Sequence, residues 1–225
     1  MQLQPRLITV ACPVRAEGVV LLLHGGARRG NSMMVSPTQL SVLRMIPISR
    51  RVSRAGRGEL AVFRLLNAVR GWDCKHTPVQ DAAWALDEIA AALGGPRPTC
   101  LIGHSLGGRA ALLSAARAEV QSVVALAPWV YASDVANGLS DEQILIVHGS
   151  ADRVARPARS AALARRLGRR ARVGYVTVEG GKHAMLRHHA QFDRLAAEFA
   201  AATLLGEPAS SAIERIQAGE SCVTV

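Results

Sequence analysis

The sequence Gly103-His104-Ser105-Leu106-Gly107-Gly108 sets a serine between small residues, directly after an apolar run at 99–102 and before a helix-period segment at 106–118. A serine in a tight strand-to-helix turn takes a strained backbone, and only small neighbours let strand and helix come that close. The helix start also sets the N–H of Leu106 beside the serine oxygen, where charge develops on an attacked carbonyl. A second motif, His24-Gly25-Gly26-Ala27, ends the apolar run 19–23. Its glycines give the chain freedom to aim the N–H of Gly26 or Ala27 at the same oxyanion. His24 itself reads as structural.

A nucleophilic serine needs a base that titrates near neutrality, and that base needs an acceptor to fix its tautomer. The run 144–147 ends in His148-Gly149-Ser150-Ala151-Asp152, and the run 173–178 ends in Glu179-Gly180-Gly181-Lys182-His183. A carboxylate and an imidazole just past the C-terminal ends of parallel strands reach the rim where the serine sits. Asp134, Asp141 and Glu179 compete with Asp152, and His188 and His189 compete with His183. Neither Asp134 nor Asp141 directly follows a strand, and His188 and His189 fall inside the expected last helix. His183, His188 and His189 lack metal-ligand spacing and an accompanying carboxylate, so neither a metal nor another cofactor is expected.

These residues require a scaffold that brings strand ends together. Strands are expected at 7–11, 19–23, 60–65, 99–102, 123–126, 144–147 and 173–178. Most lack polar alternation, as befits strands covered on both faces. Ser36-Pro37 with Gln39, and Thr77-Pro78 with Gln80, offer hydroxyl caps with proline at the first helical position. Pro47 should break or kink the first of these helices near Ile46. Further helices are expected at 106–118, 157–167 and 186–205. The alternation predicts an α/β fold, a doubly wound and mostly parallel sheet without a large cap domain. Residues 1–206 would form one domain and 207–225 a polar tail, helical at best near 213–217.

The four motifs GHSLGG, HGG, GSADRVARP and GGKHAM, as ordered along this sheet, resemble the α/β-hydrolase superfamily, and the match runs from about Arg6 to Leu205. The resemblance implies Ser105 as nucleophile, His183 as base, Asp152 as its orienter, and Leu106 with Gly26 as oxyanion donors. The chain departs from its relatives in three places. HGGA lacks the third glycine of one esterase group. Serine stands where the similarly sized dienelactone hydrolases usually carry cysteine. The connection 127–143 is too short for the helical cap that many relatives insert there. An open, nearly lidless site suits soluble or protruding acyl groups. Ala27, His104, Trp129 and Arg153 flank the motifs and are assigned to substrate binding. Trp129, Val130 and Tyr131 would either line the acyl or leaving-group pocket or cover the edge of the core.

Composition bounds the rest. The 225 residues are 49% hydrophobic and 20% charged, which excludes a disordered chain. Four scattered cysteines without a CxxC pair fit a reduced, cytoplasmic protein. No secretory signal is read, and the longest apolar runs are too short to cross a bilayer, so no membrane partner is expected. Lys plus Arg number 27 against 17 acids, a net charge of +10. Nine arginines fall between Arg28 and Arg70 and eight between Arg153 and Arg172. Arg28, Arg29, Arg153 and Arg156 follow site motifs and would form a positive rim that attracts anionic esters. With 38 alanines and only two lysines, the same counts also fit a compositional bias. Only eight aromatic residues are present and none is interleaved with the basic clusters, so no nucleic-acid partner is expected. The expected substrate is a small carboxylic ester, with thioesters and then peptides behind it. A catalytically silent fold used as a binding module is the alternative from another class. A His183–Ser105 distance within about 3.5 Å separates the first reading from the second.

Overall fold

The apolar runs build the middle of one eight-stranded sheet in the order β1-β3-β2-β4-β5-β6-β7-β8. The structure, a computed structural model, describes residues 4–26 and 34–225. Along the chain lie β1 (Arg6–Ala11), β2 (Gly18–Leu23), α1 (Leu40–Leu43), α2 (Met45–Ala55), β3 (Leu60–Leu66), α3 (Thr77–Ala92), β4 (Thr99–His104) and α4 (Leu106–Leu113). They are followed by β5 (Val120–Leu126), β6 (Gln143–Gly149), α5 (Pro157–Leu167), β7 (Arg172–Val178), α6 (His189–Leu205), α7 (Ser211–Gln217) and β8 (Cys222–Thr224). Among the described strands only β1 runs antiparallel, on β3 at the sheet edge. No helix among the described residues is long and apolar enough to cross a membrane.

Strand side chains alternate between two cores, as the pleat requires. Val19, Leu21, Leu23, Leu101, Val123, Ala125, Ile144 and Ile146 pack with α3, α4 and α5 on one face. Val20, Leu22, Ile102, Val124, Leu126, Leu145 and Val147 pack with α2, α6 and α7 on the other. Every residue of β2 and β4 is buried, which explains why these strands read as unbroken apolar runs. The strand order reverses at β2, whose neighbours are β3 and β4. From there the chain leaves β2 for α2 on one face and β4 for α4 on the other. The crevice thus opened, at the C-terminal ends of β2 and β4, is where the two glycine motifs lie.

Three expectations are corrected. Residues 207–225 are no free tail: α7 buries Ala212 and Ile213, and β8 pairs in parallel with β7. Gly174 makes room for α7, since a Cβ there would lie 2.2 Å from Ile216 Cγ2. Three residues at a sheet edge leave almost no periodic signal in sequence. Second, Ser36-Pro37 forms a turn and not a helix start, with α1 beginning at Leu40. Pro47 lies in the first turn of α2, where its missing N–H costs nothing, so the break falls at Arg44. Third, Thr77 is the first residue of α3 and its cap comes from Asp73, which accepts from Thr77 N–H and Oγ1. Helix α4 also ends at Leu113 and α6 begins at His189, each shorter than expected.

Asp81 of α3 accepts from Ala68 N–H at 2.8 Å, tying the helix to the segment just past β3. Burial raises its pKa to about 6. The folded protein therefore keeps this proton to higher pH than the unfolded chain. The associated stability is full below about pH 4 and is lost as pH rises towards about 6. Asp81→Asn, which keeps an acceptor, is expected to flatten that fall and to add about 1–2 kcal/mol at pH 7, allowing for solvent screening. Denaturant melts across this pH range check it, and an unchanged profile would contradict it.

Candidate active site

Ser105 occupies the turn between β4 and α4 with φ 55° and ψ −114°. A positive φ is strained for a residue with a Cβ, and the surroundings hold it in place. Ser105 N–H donates to Leu126 O at 3.0 Å, while Ser105 O accepts from Arg109 and Trp129 N–H, each at 3.1 Å. The neighbouring glycines are sterically required. A Cβ on Gly103 would meet Gly107 O at 2.1 Å, and one on Gly107 would meet Leu23 O at 2.2 Å. As the first residue of α4, Leu106 has an N–H with no acceptor inside the helix.

His183 comes from the loop between β7 and α6. Its Nε2 lies 3.0 Å from Ser105 Oγ, and its Nδ1 lies 2.8 Å from Asp152 Oδ2. With Nδ1–H donating to the carboxylate, Nε2 is left to accept the serine proton. Asp152 follows β6 and is buried. Its Oδ1 accepts from Val154 and Ala155 N–H at 2.8 and 3.0 Å. Burial pushes its pKa up, but hydrogen bonds from His148 and His183 outweigh it and hold the carboxyl well below the usual range. The competitors are engaged elsewhere: Asp134 in a buried pair with Arg109 at 2.8 Å, Glu179 with Ser150 Oγ at 3.0 Å. Asp141 is exposed, and His188 is the cap of α6.

Sequence reasoning missed His148. It is fully buried, and its Nε2–H forks between Asp152 Oδ2 at 3.1 Å and Ala155 O at 2.9 Å. Its Nδ1 accepts from Ser160 Oγ at 2.7 Å, which in turn lies 3.1 Å from Tyr175 Oη. Two imidazoles thus share one carboxylate oxygen. The signal was in HGSAD, an imidazole four residues before the carboxylate on a fully apolar strand. His104, assigned to substrate binding, also braces the backbone, because its Nε2–H donates to His183 O at 2.9 Å. Burial and the nearby His183 charge lower its pKa to about 3, so it stays neutral. His24 donates from Nδ1 to Gly25 O and accepts Asn67 N–H at Nε2, joining the ends of β2 and β3.

Ser105, His183, Leu106 and Gly26 line one open cavity of about 700 Å³. A Cβ on Gly26 would lie 2.1 Å from Arg70 O, so only glycine fits there. Ala27 lies outside the described residues, as do Arg28 and Arg29. Trp129 joins the cavity wall, whereas Val130 is in the core and Tyr131 lies against the guanidinium groups of Arg109 and Arg159. Arg153 is exposed and is not among the residues of the wall, whereas its neighbour Val154 is. Among the described residues the one cation in the wall is Arg44, paired with Asp193 at 2.5 Å. A larger cavity of about 900 Å³, between α5, β7 and α7, contains Arg165, Arg169 and Arg172 and none of these groups. Among the described residues no cluster of three or more His, Cys, Asp or Glu side chains could hold a metal.

His148→Phe would leave Asp152 Oδ2 and Ser160 each short of a partner in the core. It is expected to lower the unfolding free energy by about 1–3 kcal/mol. A denaturant midpoint equal to that of the wild type would contradict this.

No family model matches the sequence, and no curated protein is similar to it. Solved structures are similar in fold. Est1E from Butyrivibrio proteoclasticus with ferulic acid bound has a TM-score of 0.65 at 15% identity, over 88% of this chain and 95% of that one. An α/β serine hydrolase without a lid from Xanthomonas campestris has a TM-score of 0.64 at 18% identity, over 91% and 97%. A monoacylglycerol lipase from Paleococcus ferrophilus has a TM-score of 0.57 at 16% identity, over 86% and 98%. With the sheet order and the short 127–142 connection, these likenesses give the chain the α/β-hydrolase fold without a cap.

Proposed function

We propose that the chain is a serine hydrolase that cleaves carboxylic esters through an acyl-enzyme on Ser105. The observation that carries this reading is the unbroken line from Ser105 Oγ through His183 to Asp152, at 3.0 and 2.8 Å, on the wall of an open cavity. Ser105 Oγ attacks the ester carbonyl carbon while its proton passes to His183 Nε2. The oxyanion meets the N–H groups of Leu106 and Gly26. Collapse breaks the bond to the leaving alkoxide, which takes the proton from Nε2. A water molecule then repeats the sequence on the acyl-enzyme, and the acid leaves. Asp152 stays ionised throughout, and its low pKa suits that role.

The likenesses to Est1E with ferulic acid and to an arylesterase support an ester substrate. Thioesters and peptides would follow the same steps with a thiolate or an amine leaving. Against a silent binding module stands the short His183–Ser105 distance. Leu40, Leu43, Pro47, Leu106, Trp129, Val154 and Leu186 dominate the walls, so apolar substituents near the carbonyl fit the cavity.

Turnover of a short p-nitrophenyl ester and labelling by a fluorophosphonate test the proposal. The wild type is expected to do both. Ser105→Ala should lose the label and at least ~10⁴-fold in kcat, and Asp152→Asn about 10³–10⁴-fold through the wrong His183 tautomer. A wild type that neither turns over nor labels would overturn the reading.

A further inference from the structure

The exposed apolar side chains of this protein are unevenly placed. Seven large ones are exposed among the described residues, and four of them, Leu40, Leu43, Val154 and Leu186, line the cavity that holds Ser105. They come from α1, the loop after β6 and the loop after β7, so three separated segments converge on one mouth. Leu40 is 83% exposed, Leu186 70% and Val154 64%. These project into water, at a cost that soluble proteins rarely bear without a partner.

The segments that carry them bear charge of one sign. Segments 34–58, 153–172 and 180–192, which supply these four residues, contain no Asp or Glu. Of the four acids that bound these segments, Asp152 and Asp193 are buried and engaged, with His148 and His183 and with Arg44, while Glu59 and Glu179 are exposed and Glu179 accepts from Ser150 Oγ. Exposed cations adjoin the apolar tips in the chain. Arg153 precedes Val154, Arg187 follows Leu186, and Lys182 precedes His183. Apolar tips beside cations, in segments that themselves carry no carboxylate, match a layer of anionic headgroups over acyl chains.

We propose that the mouth of the Ser105 cavity docks on an anionic lipid surface, with Leu40, Leu43, Val154 and Leu186 entering the headgroup layer and Lys182, Arg153 and Arg187 meeting its phosphates. This departs from the expectation of no membrane partner, which rested on the lack of a spanning segment. The docking rests on the rim alone. Its consequence, that a lipid acyl ester reaches Ser105 without crossing water, rests also on the proposed ester chemistry. A site without a cap needs no lid movement to face such a surface.

Cosedimentation of the full chain with vesicles tests the proposal. Vesicles of phosphatidylcholine with phosphatidylglycerol should bind it, pure phosphatidylcholine should bind it at least tenfold more weakly, and rising salt should release it. Leu40→Asp combined with Leu186→Asp should weaken binding by on the order of tenfold or more. Lys182→Gln and Arg187→Gln should each weaken it about fivefold. All four positions are exposed, and an unchanged thermal midpoint shows that each variant folds. Ser105→Ala should bind like the wild type, so a failed ester reading leaves this result intact. Absence of binding to the anionic vesicles, equal binding to both vesicle types, or binding indifferent to the leucine variants would each overturn the proposal.

Discussion

The close approach of α4 to the ends of β2 and β4 is the constraint on which the rest of the site depends. Gly103 and Gly107 permit it, because the space a Cβ would need is filled by Gly107 O and Leu23 O. That contact forces the chain through a turn too sharp for an ordinary backbone, and Ser105 takes the strain at φ 55°. Its hydroxyl then stands clear of the sheet while its amide and carbonyl are held by β5 and the following loop. The same contact starts α4 with an unpaired Leu106 N–H next to the hydroxyl. The strand crossover at β2 and β4 supplies the crevice, and the glycine contact fills it with the right atoms.

Around Asp152 the physics is electrostatic. All its acceptor capacity is used: two backbone N–H groups on Oδ1 and two imidazoles on Oδ2. A buried carboxylate without such partners would take up a proton and could no longer orient His183. His148, Ser160 and Tyr175 carry the network from this carboxylate into the packing between β7 and α5. His104 closes it from the other side by gripping the His183 carbonyl. His183 is thus fixed through both its ring and its backbone, although it sits on a loop.

Much of this is legible in the sequence, because the glycine motifs and strand-end residues are local signals that survive without coordinates. Ser105, Asp152 and His183 follow strands whose apolar runs are unmistakable, and parallel topology sends all their ends to one rim. His148 is hidden by its own strand, since a buried histidine among apolar neighbours reads as core until its partners are known. Residues 207–225 read as a tail because β8 contributes three residues at an edge and α7 is two turns long. The cap of α3 reads as Thr77 although Asp73, four residues earlier, makes the bonds. Propensity alone cannot say which of two polar side chains reaches the free amides.

The charge also reads differently in three dimensions. Arg44 and Arg109, in sequence only two cations among many, are buried in pairs with Asp193 and Asp134. Arg165, Arg169 and Arg172 gather at a cavity away from Ser105. The mouth itself is apolar, and its cations are exposed neighbours of the wall. Chemistry that passes through a covalent bond to Ser105 leaves an adduct that can be trapped. Acid quenching during turnover of an ester with a fast leaving group, followed by peptide mapping by mass spectrometry, looks for it directly. The acyl group is expected on the peptide containing Ser105, formed in a burst at one equivalent per chain. Turnover with no acyl adduct, or with the adduct on another residue, would contradict the proposed mechanism.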